Sequence, residues 1–412
     1  MLSGQILPSL HTALRALGNG VESTRQQFLD DARLTVRARP PSSLSFMKIS
    51  VPTETASGEQ RVALAPDSVQ RLVKAKIDVI VQRGAGLRAG FRDDAYVSAG
   101  ATLTDEAAAL ANEVVAKVQP PSSAEIARMT EGATLISLLR PGHSADTVSE
   151  LSQRKITALA LELVPRITRA QSMDVLSSQS TVAGYKAVLV GASALGKFLP
   201  MLTTAAGNIS PAKVFVIGAG VAGLQAIATA RRLGGVVSGF DVRPAAREQV
   251  LSLGATFVAN DLVSDNAQTA GGYARAQTSD EQSRTLEAIG GHIKDMDLVV
   301  TTAQIPGKPA PKLITNEMVA SMRAGSVIVD LAAETGGNCA LTKPGETVQA
   351  HDVTIVAPLN IASTVAFHAS QMFGRNIFEL MKHLVKDGAL QLDPADEITG
   401  AMMMTHDGKV LR

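Results

Sequence analysis

The stretch KVFVIGAGVAGLQAIATARRLGGVVSGFDVR, Lys213 to Arg243, decides the fold. It opens on an unbroken apolar run, Val214 to Ile217, the length of a strand buried on both faces, and passes straight into Gly218-Ala219-Gly220-Val221-Ala222-Gly223. An Ala-rich helix is predicted from Val221 to Leu233, stopped by Gly234-Gly235, and a second strand, Val236 to Phe240, ends at Asp241. Gly218 permits the tight turn out of the strand, Gly220 lets the backbone approach a pyrophosphate, and Gly223 lets the helix pack closely on the sheet. The helix N-terminus then offers unpaired N–H groups and the positive end of its dipole to the phosphates. Asp241 stands 18 residues past Gly223, where a carboxylate accepts hydrogen bonds from an adenosine ribose hydroxyl and repels a 2′-phosphate. NAD is thereby favoured over NADP. Arg243 argues the other way, because an arginine there can hold a phosphate.

Composition bounds the rest. A chain of 412 residues is long enough for two domains and a large core. With 45% hydrophobic residues, 19% charged residues and a net charge of +1, it has the balance of a soluble globular enzyme. There is no basic excess, and three Tyr, ten Phe and no Trp leave little for base stacking, which argues against a nucleic-acid partner. One cysteine, Cys339, excludes an internal disulfide framework and fits a reducing compartment. No run of about 18 apolar residues exists to span a membrane.

Residues 1–46 differ from the remainder of the chain. Leu10, Leu14, Leu17 and Val21 have helical spacing, and Arg39-Pro40-Pro41-Ser42-Ser43 closes the segment like a linker. The arginines suit a cleaved leader, whereas Glu22, Asp30 and Asp31 suit a disordered extension or translation from Met47. From Met47 the pattern is repeated βα units, with strands expected at Lys48–Val51, Val79–Gln82, Val114–Val118, Thr134–Leu139 and Thr157–Leu161. The fold class is therefore α/β: two Rossmann-like, doubly wound parallel-sheet domains joined by long helices, with a cleft between them. The expected division is 47–180 with 366–412 for the first domain and 181–365 for the nucleotide-binding one. Between them lies PRITRAQSMDVLSSQS, 165–180, which comes after a strand end and runs into a helix expected to reach Leu202. Its position suits a ligand-lining loop and equally an ordinary connection with a helix cap. Further strands are expected near Thr256–Val258 and at Leu298–Thr302, Val327–Leu331 and Val353–Val356. The polar stretch from Asn260 to Ser283, holding Gly271-Gly272-Tyr273, is either a hinged flap or a plain surface loop. Thr301–Gly307 and Asp330–Asn338 should line the nucleotide crevice, and a last helix, Ser363–Lys386, should return to the first domain.

These motifs, together with VIGAGVAGLQAIATARRLG (216–234), FDVR (240–243), GGYA (271–274), TTAQIPGKPAPKLI (301–314) and DLAAETGGNCALT (330–342), closely resemble the soluble NAD(H)-binding component of proton-translocating NAD(P) transhydrogenase. The likeness runs from Met47 to the end. It implies a Re/Si-specific enzyme that needs partner subunits: direct hydride transfer between NAD(H) on this chain and NADP(H) on a partner component, coupled to proton movement through a membrane-spanning component. It implies catalytic residues Arg166, Gln171, Asp174 and Ser177 around the nicotinamide, with Ile167, Thr168 and Met173 beside them. Nucleotide contacts fall on Gly218, Gly220, Val221, Gly223, Asp241, Val242, Arg243 and Ala303, and on Gly272 and Tyr273 of a mobile loop. A homodimer attached through its partners to the inner face of the plasma membrane is implied as well. Gln304 departs from the family pattern, where an aliphatic residue is expected.

The rival is alanine dehydrogenase, a relative with the same two domains. Its amino-acid site would use Arg61 and Lys117, but Arg140 stands about where its catalytic histidine would, and Glu334 replaces an aspartate. Without the imidazole the best acid and base near neutral pH is missing. A third reading, a non-catalytic NAD-binding regulator, would lack the nicotinamide-loop residues, and all four are present. The histidines show no metal-ligand spacing, so no metal is expected, and Met402-Met403-Met404 reads as core or interface packing.

Overall fold

A computed structural model describes residues 47–412 except 143, 260–261, 263–274, 276 and 306–307. The first strands are β1 (Lys48–Val51), β2 (Asp78–Gln82), β3 (Thr102–Thr104), β4 (Val114–Ala116), β5 (Thr134–Ser137) and β6 (Thr157–Ala160). All six are parallel. The β4, β5 and β6 strands are buried along their whole length, which is why they appear as apolar runs without alternation. The first helix spans Pro66–Lys74 with the proline in its first turn, where no N–H is needed.

A helix of 20 residues, Val175–Ala194, comes next. It ends well short of Leu202, and Leu195, Gly196 and Lys197 leave it as an irregular segment. The apolar spacing of Leu195 and Leu199 reflects burial in the second core, not helix, and Pro200 could not have continued one. A small hairpin succeeds it, β7 (Leu202–Thr204) and β8 (Gly207–Ile209).

The second sheet holds β9 (Lys213–Ile217), β10 (Val236–Phe240), β11 (Thr256–Phe257), β12 (Leu298–Thr301), β13 (Val327–Asp330), β14 (Thr347–Ala350) and β15 (Val353–Val356), in the order β11-β10-β9-β12-β13-β15-β14. Only β14 is antiparallel to its neighbour. Part of the stretch expected to be loop is helical, because a capping box between Thr278 and Glu281 starts the helix Ser279–Ile293. The return helix spans Ala366–Leu384, and after the hairpin β16 (Val385–Lys386) and β17 (Ala389–Leu390) the chain adds β18 (Met403–His406) and β19 (Lys409–Val410) to the first sheet, beside β6. Met402, Met403 and Met404 are buried there.

The two long helices join the sheets. Val175 belongs to the first core while Ala187 and Val188 belong to the second, and the return helix sinks Phe373, Ile377, Leu380 and Met381 into the first core. The architecture is the expected one: two doubly wound α/β units tied by long helices.

Candidate functional site

Gly218 has φ 93°, and a Cβ there would lie 2.7 Å from the Thr302 hydroxyl, which donates to the Gly218 carbonyl at 3.0 Å. At Gly223 a Cβ would lie 1.8 Å from that same carbonyl. The fingerprint helix, Val221–Arg232, therefore starts flush against the turn, and Val221 at its first position is 39% exposed. Asp241 is buried, and its carboxylate accepts from the Ala219 N–H at 2.8 Å and, through both oxygens, from the backbone N–H, Nε and Nη2 of Arg243 at 2.8–2.9 Å. The carboxylate that the sequence pattern assigns to a ribose is thus clamped between the glycine turn and the arginine two residues on. Val242 packs against the core beneath.

The next two loops are held by one buried acid. Asp330 accepts from the Thr301 and Thr342 hydroxyls and from the backbone N–H of Ala332, Asn338 and Cys339. Asn338 in turn brackets Ala303, accepting from its N–H at 3.1 Å and donating to its carbonyl at 2.9 Å. Gln304 is exposed, and its amide donates to the Leu331 carbonyl at 3.1 Å, so the polar residue bridges two loops instead of packing inward. Gly272 and Tyr273 lie outside the described residues.

Residues 165–180 form a short 3-10 turn, Thr168–Met173, leading into the long helix. Asp174 is that helix's N-cap: its carboxylate accepts from the Ser177 N–H at 2.9 Å and from the Ser177 hydroxyl at 2.6 Å. Asp174 and Ser177 are therefore one unit. Gln171, Arg166 and Thr168 are exposed, Ile167 is half-buried and Met173 is buried. From behind, Asn376 of the return helix donates to the Ser172 carbonyl at 2.7 Å. The same long helix meets the glycine turn at Gly184, where a Cβ would lie 2.0 Å from the Ala222 carbonyl. At about 1.5 Å per residue, Asp174 and Ser177 sit roughly 10–15 Å along the helix from that crossing.

The carboxyl edge of the first sheet is different in kind. Arg61 is buried and places four guanidinium N–H bonds: two on Glu59, at 2.8 and 2.7 Å, one on Gln179 at 2.9 Å and one on Asn360 at 2.9 Å. Lys117 is fully buried, 2.6 Å from Glu125 and 3.6 Å from Glu54. Burial pushes all three carboxyls up. Arg61 overcomes it and holds Glu59 down at about 2; Lys117 overcomes it at Glu125; at Glu54 burial wins and the group stays above its ordinary range. Gln119 links Glu59 to Arg140, whose exposed side chain donates to Gln119 at 2.9 Å from a backbone with φ 51°. Glu162, raised by burial, accepts from the Leu139 and Arg140 N–H groups. Glu334 is tied to the Asn360 N–H at 2.7 Å. The two cations that would grip an amino acid's carboxylate are spent within the chain. Sequence reasoning missed Glu54, Glu59, Gln119, Gln179 and Asn360. The available signal was a lysine inside the apolar run after Val114 and an arginine heading the apolar run Val62–Ala65.

The sequence models of "Alanine dehydrogenase/PNT, N-terminal domain" and "Alanine dehydrogenase/PNT, C-terminal domain" match residues 50–183 and 187–412. The chain belongs to the alanine dehydrogenase/PNT family. It is 48% identical to the Rhodospirillum rubrum polypeptide named as the first part of NAD(P) transhydrogenase subunit alpha, over 89% of this chain and 98% of that one. The solved transhydrogenase of Sinorhizobium meliloti superposes with a TM-score of 0.81 at 43% identity, covering 88% of this chain and all of that one. The alanine dehydrogenase of Halomonas elongata is 32% identical over 88% of this chain and 94% of its own. Within the family, then, this chain shares more with the transhydrogenase alpha subunits compared than with the alanine dehydrogenase. Among the described residues no helix is long and apolar enough to cross a membrane, and no group of His, Cys, Asp or Glu is placed to hold a metal ion.

Proposed function

We propose that this chain is the NAD(H)-binding subunit of a proton-translocating transhydrogenase, passing hydride directly between NAD(H) held here and NADP(H) held by a partner component. The observation that carries this reading is the pairing of the two edges. The second sheet presents a glycine-cleared helix start, and the first keeps Arg61 and Lys117 bound to its own glutamates. Residues 47–180 with 366–412 and 181–365 are the two working domains, with the dinucleotide lying across the edge of the second.

In this reading the cofactor supplies the redox chemistry and the chain supplies orientation. The N–H groups at Gly220 and Val221 would hold the pyrophosphate, and the Asp241 carboxylate, bonded also to Arg243, would accept from ribose hydroxyls. Gln171, Asp174 and Ser177 would orient the nicotinamide ring and its carboxamide through the capped hydroxyl and the exposed amide. Arg166 orients the loop. Hydride moves without proton exchange at the reacting carbon, so no general base is needed, and a fixed near-attack geometry matters most. The chain works as a homodimer, peripheral to the cytoplasmic face of the membrane through a membrane-spanning partner that couples the reaction to proton movement.

The test is Gln171→Asn, assayed with the NADP-binding component by stopped flow. Shortening the side chain by one carbon should slow hydride transfer by about 10- to 100-fold while NADH affinity changes less than about threefold. An unchanged rate would remove Gln171 from the site.

A further inference from the structure

The Arg61 guanidinium joins three segments that the chain brings from far apart. Glu59 lies in the loop after β1, Gln179 is in the second turn of the long helix, and Asn360 sits between β15 and the return helix. Asn360 works from both ends. Its side-chain oxygen accepts from Arg61, its amide donates to Glu59 at 3.0 Å, and its backbone N–H donates to Glu334, in the loop after β13, at 2.7 Å. Its φ of 46° is a left-handed conformation that asparagine tolerates better than most residues. Gln179 is also held from the other side, donating to the Ala369 carbonyl of the return helix at 3.1 Å. It stands five positions past the Asp174 cap. Buried ion pairs are poor sources of stability compared with apolar packing, so a charged junction here is better explained by the geometry it fixes.

We propose that Gln179 and Asn360 are positioning residues for hydride transfer. Through Arg61 they lock the first turns of the long helix, which carry Asp174 and Ser177, to the loops at the carboxyl edge of the second sheet. The distance between the nicotinamide loop and the glycine turn is thereby held constant. This rests on the transhydrogenase reading, and it predicts a specific split: the dinucleotide still binds through the second sheet, while the reacting ring loses its alignment.

The experiment uses the full chain reconstituted with the NADP-binding component, measuring single-turnover hydride transfer and, separately, NADH binding by fluorescence. Gln179→Met keeps the bulk and removes the acceptor for Arg61; Asn360→Gly keeps the left-handed turn and removes both side-chain bonds. Each should slow transfer by about tenfold or more with NADH affinity within about threefold. The double variant should lose less than the product of the two, because both act through one guanidinium. Gln179→Glu, which retains the acceptor for Arg61 while giving up the bond to the Ala369 carbonyl, should recover at least about half of the rate lost in Gln179→Met. Rates unchanged in both variants, or NADH affinity falling by the same factor as the rate, overturns the proposal. If one variant fails to bind NADH stoichiometrically, the other and the glutamate rescue decide. A wild-type chain that transfers no hydride with the partner overturns the transhydrogenase reading itself, and shows this before any variant is compared.

Discussion

The two sheets share a topology and end differently. At the carboxyl edge of the second, side chains have been cleared away: the glycine turn leaves no room for a Cβ at Gly223, and Val221 stands exposed where the helix begins. At the edge of the first, two buried charge groups sit instead, Arg61 with Glu59 and Lys117 with Glu54 and Glu125. One edge is cleared of side chains at its glycine turn, and the other carries buried cations held by glutamates and, at Arg61, by Gln179 and Asn360 as well. The strand ends that form a binding crevice in other α/β folds here hold buried charge pairs.

The comparison breaks most severely if the charged edge is opened. Lys117→Met leaves Glu125 without its cation, and should destabilise the chain by about 3–5 kcal/mol in urea denaturation, with the loss partly recovered in Lys117→Met/Glu125→Leu. If the single variant unfolds no earlier than wild type, the pair is not the structural element described. At the glycine edge, Gly223→Val drives a side chain into the Gly218 carbonyl. It should weaken NADH binding by at least ~100-fold, about 3 kcal/mol, in a fluorescence titration. Retained affinity would mean that the glycine turn does not seat the pyrophosphate.

A pH titration sharpens the contrast. Glu59 ionises at about 2 in the fold against an ordinary 4.5, so its contribution is fully present above pH 4.5 and is lost as pH falls towards 2. That contribution is at most about 3 kcal/mol. Glu59→Gln should therefore flatten the acid limb of stability between those values, measured as urea midpoints at each pH; an unaltered limb would show that other carboxylates govern it. The smallest effect is expected at Asp241→Asn, which removes the carboxylate charge that Arg243 is bonded to. NADH affinity should fall about tenfold and the preference for NADH over NADPH should narrow. A preference left intact would assign the discrimination to other residues.

How much of this was legible in the sequence depends on how local each residue's requirements are. The fingerprint could be read because a buried strand, three glycines and an acid sit within 31 residues, and backbone sterics fix their spacing. The domain-joining helices were visible from periodicity, although the first ends at Ala194 because Leu195 and Leu199 are buried in an irregular segment. What stayed hidden were partnerships across long separations. Arg61 meets Gln179 over 118 residues and Asn360 over 299, and no local pattern announces either. Asp241 follows the end of β10 as the pattern requires, but its engagement by Arg243 and the Ala219 N–H depends on how the turn folds back, which spacing alone does not specify.

The most direct test of the contrast between the edges is NADH oxidation by the purified full chain offered two acceptors in parallel. One is pyruvate with ammonium; the other is an NADP analogue with the NADP-binding component. Silence with pyruvate, together with reduction of the analogue only when the component is present, is the expected result. Turnover with pyruvate alone would contradict it, because Arg61 and Lys117 would then have to release their glutamates and bind substrate.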